Sequence, residues 1–101
     1  MAKSNPIILK DEEITERMRE LPGWKYHDNK LSKEFEFKTF VEGINFINNL
    51  TLFCEQIDHH PDMHIFYTKI LFELQRFDVG GKVTDLDFEV AKEIEKQYKN
   101  L

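Results

Sequence analysis

The chain has 101 residues, 41% hydrophobic and 33% charged, with a formal net charge of −5. That length bounds it to a single domain over residues 1–101 with a modest core. The acidic balance and the scattered Lys and Arg disfavour a broad phosphate-backbone footprint, so no direct nucleic-acid partner is expected. Cys54 is the only cysteine, which excludes an intramolecular disulfide and fits a reducing, cytoplasmic setting. Nine phenylalanines are many for this length, and another subunit is expected to cover some of them.

Residues 1–10 read as a tail or lead-in segment. Their one apolar run, Pro6-Ile7-Ile8-Leu9, is too short for a signal-peptide core or a membrane span, so no membrane partner is expected. Asp11-Glu12-Glu13 opens a short helix with acids in its first turn. Ile14, Met18 and Leu21 form its stripe, and Pro22-Gly23 stops it. Residues 24–27 form a short strand and Asp28-Asn29 a turn. Residues 31–38 then alternate: Leu31, Lys33, Phe35 and Phe37 face one way, with Lys33 discordant, and Ser32, Glu34, Glu36 and Lys38 the other. The two strands form a hairpin.

Thr39 caps a helix running to about Ile57. Phe40, Ile44, Ile47, Leu50, Cys54 and Ile57 make its main stripe; Val41, Phe46 and Phe53 lie outside it and widen the apolar surface. Pro61 disfavours the helical region for His60, so this helix ends at or before the adjacent pair His59-His60. Residues 63–67 read as a strand and Thr68-Lys69 as a turn. A longer strand reaches about Phe77, and Gly80-Gly81 forms a loop. Thr84 or Asp85 caps a last helix built on Leu86, Val90, Ile94 and Leu101. The fold class is therefore α+β, in the order α-β-β-α-β-β-α. Local hairpins separated by helices favour a four-stranded antiparallel sheet with helices on one face.

His59, His60 and His64 fall within six positions, flanked by acids. Histidine titrates nearest neutrality, so an adjacent pair suits acid/base work. The same pair also suits a polar loop at a helix end, where an imidazolium favours the dipole. The spacing fits no helical or Cys/His zinc pattern, and no metal is expected. Cys54 sits on the helix stripe, as a small buried hydrophobe does.

Glu55, then His59-His60-Pro61, then Tyr67, with Gly80-Gly81 and Thr84-Asp85-Leu86-Asp87-Phe88 downstream and Leu21-Pro22-Gly23-Trp24 upstream, resemble the pterin-4a-carbinolamine dehydratases. That family includes the dimerisation cofactor of a homeodomain transcription factor. The resemblance spans about residues 11–98. It implies an α+β fold, assembly as a homodimer or homotetramer, and dehydration of a pterin substrate, 4a-hydroxytetrahydropterin, to the quinonoid dihydropterin. This reaction recycles a tetrahydrobiopterin-type cofactor and uses no cofactor of its own. By the same resemblance His59 and His60 carry the proton transfers, and Glu55, Asp58, Pro61, Phe77 and Asp87 surround the substrate. Many family members have a third histidine where Phe77 stands here. Phenylalanine can line a pterin but transfers no proton, so reduced but real activity is expected. A low-turnover pterin-binding or protein-interaction module is the alternative.

Overall fold

The computed structural model describes residues 6–76 and 81–101. In chain order it has α1 (Asp11–Arg17, extended by a 3-10 turn, Met18–Glu20), β1 (Lys25–His27), β2 (Lys30–Glu36), α2 (Phe40–Ile57), β3 (Asp62–Phe66), β4 (Lys69–Leu74) and α3 (Asp85–Lys99). The strands form one antiparallel sheet in the order β1-β2-β4-β3. The second strands of the two hairpins thus pair at its centre. The α+β order expected from the sequence is the order observed. Among the described residues, no helix is long and apolar enough to cross a membrane.

Turn chemistry sets both hairpins. Asp28 and Asn29 both adopt positive φ, +53° and +60°, as a two-residue hairpin turn compatible with strand twist requires, and their short polar side chains tolerate it. Tyr67-Thr68 joins β3 to β4, with Tyr67 also left-handed. This turn lies one residue earlier than the sequence reading placed it.

One sheet face carries the core. Leu31 and Phe35 of β2 and Ile70, Phe72 and Leu74 of β4 pack against Phe46, Leu50 and Cys54 of α2 and Val90, Ala91 and Ile94 of α3. Tyr98 sits edge-on to Phe35 at 4.8 Å and to Phe37 at 5.5 Å, and its hydroxyl donates to the Glu36 carbonyl at 2.6 Å. Such edge contacts contribute about 0.5–1.5 kcal/mol each beyond burial. Lys33, discordant in the alternation, occupies a core-side position with its ammonium 4.8 Å from the Phe35 ring centroid and bonded to Glu95 at 2.6 Å. Trp24 is buried edge-on to Phe35, and its indole N–H donates to the same Glu95 at 2.8 Å. It is a core residue.

Three sequence expectations are corrected. Strand β4 stops at Leu74 rather than near Phe77. Its ladder with β2 ends where Leu74 pairs with Leu31, and the Arg76 N–H bonds the Lys82 carbonyl instead. Strand β2 ends at Glu36 rather than Lys38; the Phe37 N–H still bonds the Thr68 carbonyl at 2.8 Å, and Thr39 then caps α2. The buried stripe of α2 is Gly43, Phe46, Leu50 and Cys54, while Phe40 is exposed. Gly43 is the reason: a Cβ there would stand 3.2 Å from Ile70 Cδ1 and 3.5 Å from Phe37 Cδ1. The helix docks on its glycine, a contact that hydrophobic periodicity does not register. The described part of the lead-in segment is also attached. Leu9 is buried, and Ile8 lies opposite Thr84 in an antiparallel bridge.

Candidate active site

The ends of α2 and α3 bring the site together. Thr39 Oγ1 accepts from the Glu42 N–H at 3.0 Å and fixes the start of α2. Its other end closes on Asp58, left-handed at φ +54°, whose N–H reaches the Cys54 and Glu55 carbonyls. The His59 N–H then takes the Cys54 carbonyl at 3.0 Å. This left-handed cap satisfies late carbonyls of the helix and turns the chain sharply out of it. The helix thus ends before the histidine pair, as Pro61 implies. Residues 59–61 are the whole link between α2 and β3, once the Asp58 cap is passed.

The two histidines diverge. The His59 ring points inward and is 4% exposed. Its Nε2 lies 2.5 Å from Asp87 Oδ1 in the first turn of α3. Asp87 is completely buried. Its second oxygen accepts the Thr84 N–H at 2.7 Å and the Thr84 hydroxyl at 3.4 Å. Thr84 and Asp87 together form the capping box that begins α3, and a carboxylate in that turn also meets the positive end of the helix dipole. A carboxylate only accepts, so this pairing assigns the proton to the His59 Nε2 and leaves Nδ1 off the carboxylate.

His60 points outward, with 53% of its side chain exposed. Its Nε2 meets Glu55 Oε2 at 2.5 Å, one turn back on α2. Solvent screening makes this pair a weak source of stability, so its effect is to orient the ring. Each histidine thus has one ring nitrogen on a carboxylate and one remaining.

Of the residues expected at the site, Glu55, His59, His60 and Asp87 are therefore joined in two imidazole–carboxylate pairs. Asp58 is the helix cap and Pro61 is buried beside them. Asp87 has both oxygens taken by protein donors, so it reaches a ligand only through His59. Phe77 and Gly80 lie outside the described residues. His64 belongs elsewhere, on the far face of the sheet, bonded to Glu73 at 2.9 Å. Sequence reasoning did not see Thr84 as part of the site. Its signal was there in Thr84-Asp85-Leu86-Asp87, a cap residue followed three places on by an acid. Cys54 lies under the site, and burial, with help from the Glu55 charge, pushes its thiol up to about 11. It is a packing group and no nucleophile.

Fold and site together define a class: an antiparallel α+β protein with two adjacent imidazoles, each oriented by its own carboxylate, at a helix-to-strand junction. Residues 8–97 match the family model for pterin 4 alpha carbinolamine dehydratase. A Sulfolobus acidocaldarius protein that carries the name of a pterin-4-alpha-carbinolamine dehydratase is 42% identical over 88 residues, covering 87% of this chain and 96% of that one. A similarly named protein of Prochlorococcus marinus strain MIT 9312 is 37% identical over 93 residues, covering 92% and 96%. The chain belongs to the pterin-4-alpha-carbinolamine dehydratase family. Its fold superposes on the transcriptional coactivator/pterin dehydratase of Brucella melitensis with a TM-score of 0.83, at 29% identity over 89% of this chain and 97% of that one. It shares the fold alone, at 17% identity and a TM-score of 0.58, with a pterin dehydratase-like RuBisCO assembly factor of the alpha-carboxysome, over 73% and 84% of the two chains.

Proposed function

We propose that this protein dehydrates 4a-hydroxytetrahydropterin to the quinonoid dihydropterin, recycling a tetrahydrobiopterin-type cofactor. The C4a–O bond breaks and its oxygen leaves as water after taking a proton from one imidazole. The other imidazole takes the N5 proton, and the N5 electron pair forms the C4a=N5 bond. The observation that carries this reading is the pairing of His59 with Asp87 and of His60 with Glu55, in a chain of this family. Two positioned imidazoles supply the two proton transfers, each of the kind that contributes about 10²- to 10⁴-fold. Glu55 and Asp87 act through the rings they hold. Asp58, Pro61 and Phe77 border the pterin. The reaction as written needs neither metal nor prosthetic group.

A homodimer or homotetramer in the cytoplasm completes the reading. What supports self-association is the apolar surface on the edge strand and its turn, Ile65, Phe66 and Tyr67, and on α2, Val41 and Leu52. One observation favours a second reading: the name of the Brucella relative joins a coactivator to a dehydratase, so an interaction module with slow turnover is its rival. Stopped-flow dehydration of enzymatically generated 4a-hydroxytetrahydropterin, with pterin affinity measured in parallel, separates them. Acceleration that is lost in His59→Ala and His60→Ala supports the dehydratase. Binding without acceleration supports the module, and full turnover in both variants refutes the site.

A further inference from the structure

Residues 7–9 do not trail away from the fold. The Ile7 N–H donates to Asp85 Oδ1 at 2.8 Å, and the Asp85 N–H returns to the Ile7 carbonyl at 3.1 Å. The Leu9 N–H donates to the Val83 carbonyl at 3.1 Å, and the Leu9 side chain is buried in the core. Ile7 and Ile8 are themselves exposed, so backbone pairing and the Leu9 anchor hold the segment. What they hold is residues 83–85. At the middle of that stretch stands Thr84, fully buried and extended at φ −124°, ψ 173°. Its N–H is the 2.7 Å donor to Asp87, and Asp87 in turn holds the His59 ring.

We infer that residues 7–9 are a positioning strap for His59, acting through the Thr84 N–H and Asp87. This rests on the catalytic reading of His59 given above. Thr84 lies at the helix start, where the first N–H groups have no partner within the helix and the chain frays most easily. A strand pinned across that start sets where the Thr84 N–H points. It thereby fixes the rotamer of Asp87 and the orientation of the His59 imidazole. The strap touches no reacting atom; it makes the ring's position independent of fraying at the start of α3.

Asp85 allows a clean test. Asp85→Ala deletes the acceptor for the Ile7 N–H. Asp85→Asn removes the same negative charge from the helix start but keeps an acceptor oxygen. In the full-length protein, Asp85→Ala is expected to speed exchange of the Thr84 amide by roughly tenfold, since local opening governs protection. It should also shift or broaden the His59 ring signals in 15N–1H spectra. It should lower kcat roughly three- to tenfold with KM little changed, a loss of orientation rather than of binding. Asp85→Asn should retain wild-type values on all three. Ile7→Pro, which removes the donor instead, should reproduce Asp85→Ala, and the double variant should be no worse than either single one. Unchanged Thr84 exchange and unchanged His59 ring signals in Asp85→Ala overturn the strap, as does equal damage in Asp85→Asn. If the wild-type protein proves inactive, the dehydratase reading fails, yet the exchange and ring-signal measurements still decide the strap.

Discussion

Asp87→Asn perturbs the buried centre of the site with almost no change of shape. Aspartate offers two oxygens: one takes His59 Nε2 and the other the Thr84 N–H and hydroxyl. Asparagine offers one. If its oxygen serves Thr84, its amide N–H groups face the His59 Nε2–H, donor against donor, in a place closed to water. A buried donor left without an acceptor costs about 1–3 kcal/mol. Loss of the carboxylate charge from the first turn of α3 costs about 0.3–1 kcal/mol more. A total of about 1–4 kcal/mol lowers the melting temperature by about 5–30 °C for a domain of this size. Moving the proton to Nδ1 relieves the clash at His59, at the expense of the nitrogen needed for proton exchange. Three measurements follow the change: urea unfolding for the free energy, 15N ring shifts of His59 for the tautomer, and turnover, expected to fall by about 10²-fold or more. An Asp87→Asn protein that unfolds at the wild-type midpoint with Nε2 still protonated would refute the reasoning.

Other consequences are testable on the same protein. His64 next to Glu73, with Lys30 on its other side, holds that carboxyl below the usual range. A depressed folded-state value stabilises the fold above the unfolded value of about 4.3, and that contribution is lost as the pH falls through the folded value. Glu73→Gln should therefore flatten the acid limb of the stability profile below about pH 4; an unchanged limb counts against it. Cys54, raised to about 11, favours the neutral thiol in the folded state. It should resist iodoacetamide at about pH 8 until urea unfolds the chain. Its contribution to stability should decline only as the pH rises from the ordinary thiol value toward about 11. Rapid labelling of the native protein would contradict the burial. Gly43→Val should destabilise by about 1–3 kcal/mol through overpacking against Ile70 and Phe37, read by urea midpoint; a neutral result would mean that α2 is free to shift. Phe66→Lys, on the exposed edge strand, should lower the mass seen by light scattering if that edge joins subunits.

Much of the fold was legible because local chemistry and tertiary packing agree. Thr39 marked the start of α2, Asp28-Asn29 marked the first hairpin, and the alternation from Leu31 to Phe35 marked β2 and its buried face. Where the reading slipped, the cause was tertiary. Phe40, expected on the stripe, is exposed while Phe46, read as outside it, is buried, because α2 docks through Gly43, whose contribution is the absence of a side chain. The end of β4 depends on where its partner strand stops, which no local pattern states. The site divides the same way. The histidine pair and its motif carboxylates were visible as residue types. Which carboxylate serves which ring was not, because the His59–Asp87 contact spans 28 positions and depends on how α3 packs beside the end of α2. Residues 7–9 showed only a short apolar run and read as a tail, since they are held by backbone bonds and one buried leucine.

The most direct test of the dehydratase reading is the rate of water loss from 4a-hydroxytetrahydropterin with wild-type protein, His59→Ala and His60→Ala side by side. Dehydration accelerated by the wild type and reduced by about 10²-fold or more in each variant is the expected result. Pterin that binds but dehydrates at the uncatalysed rate, or variants as fast as wild type, would contradict it.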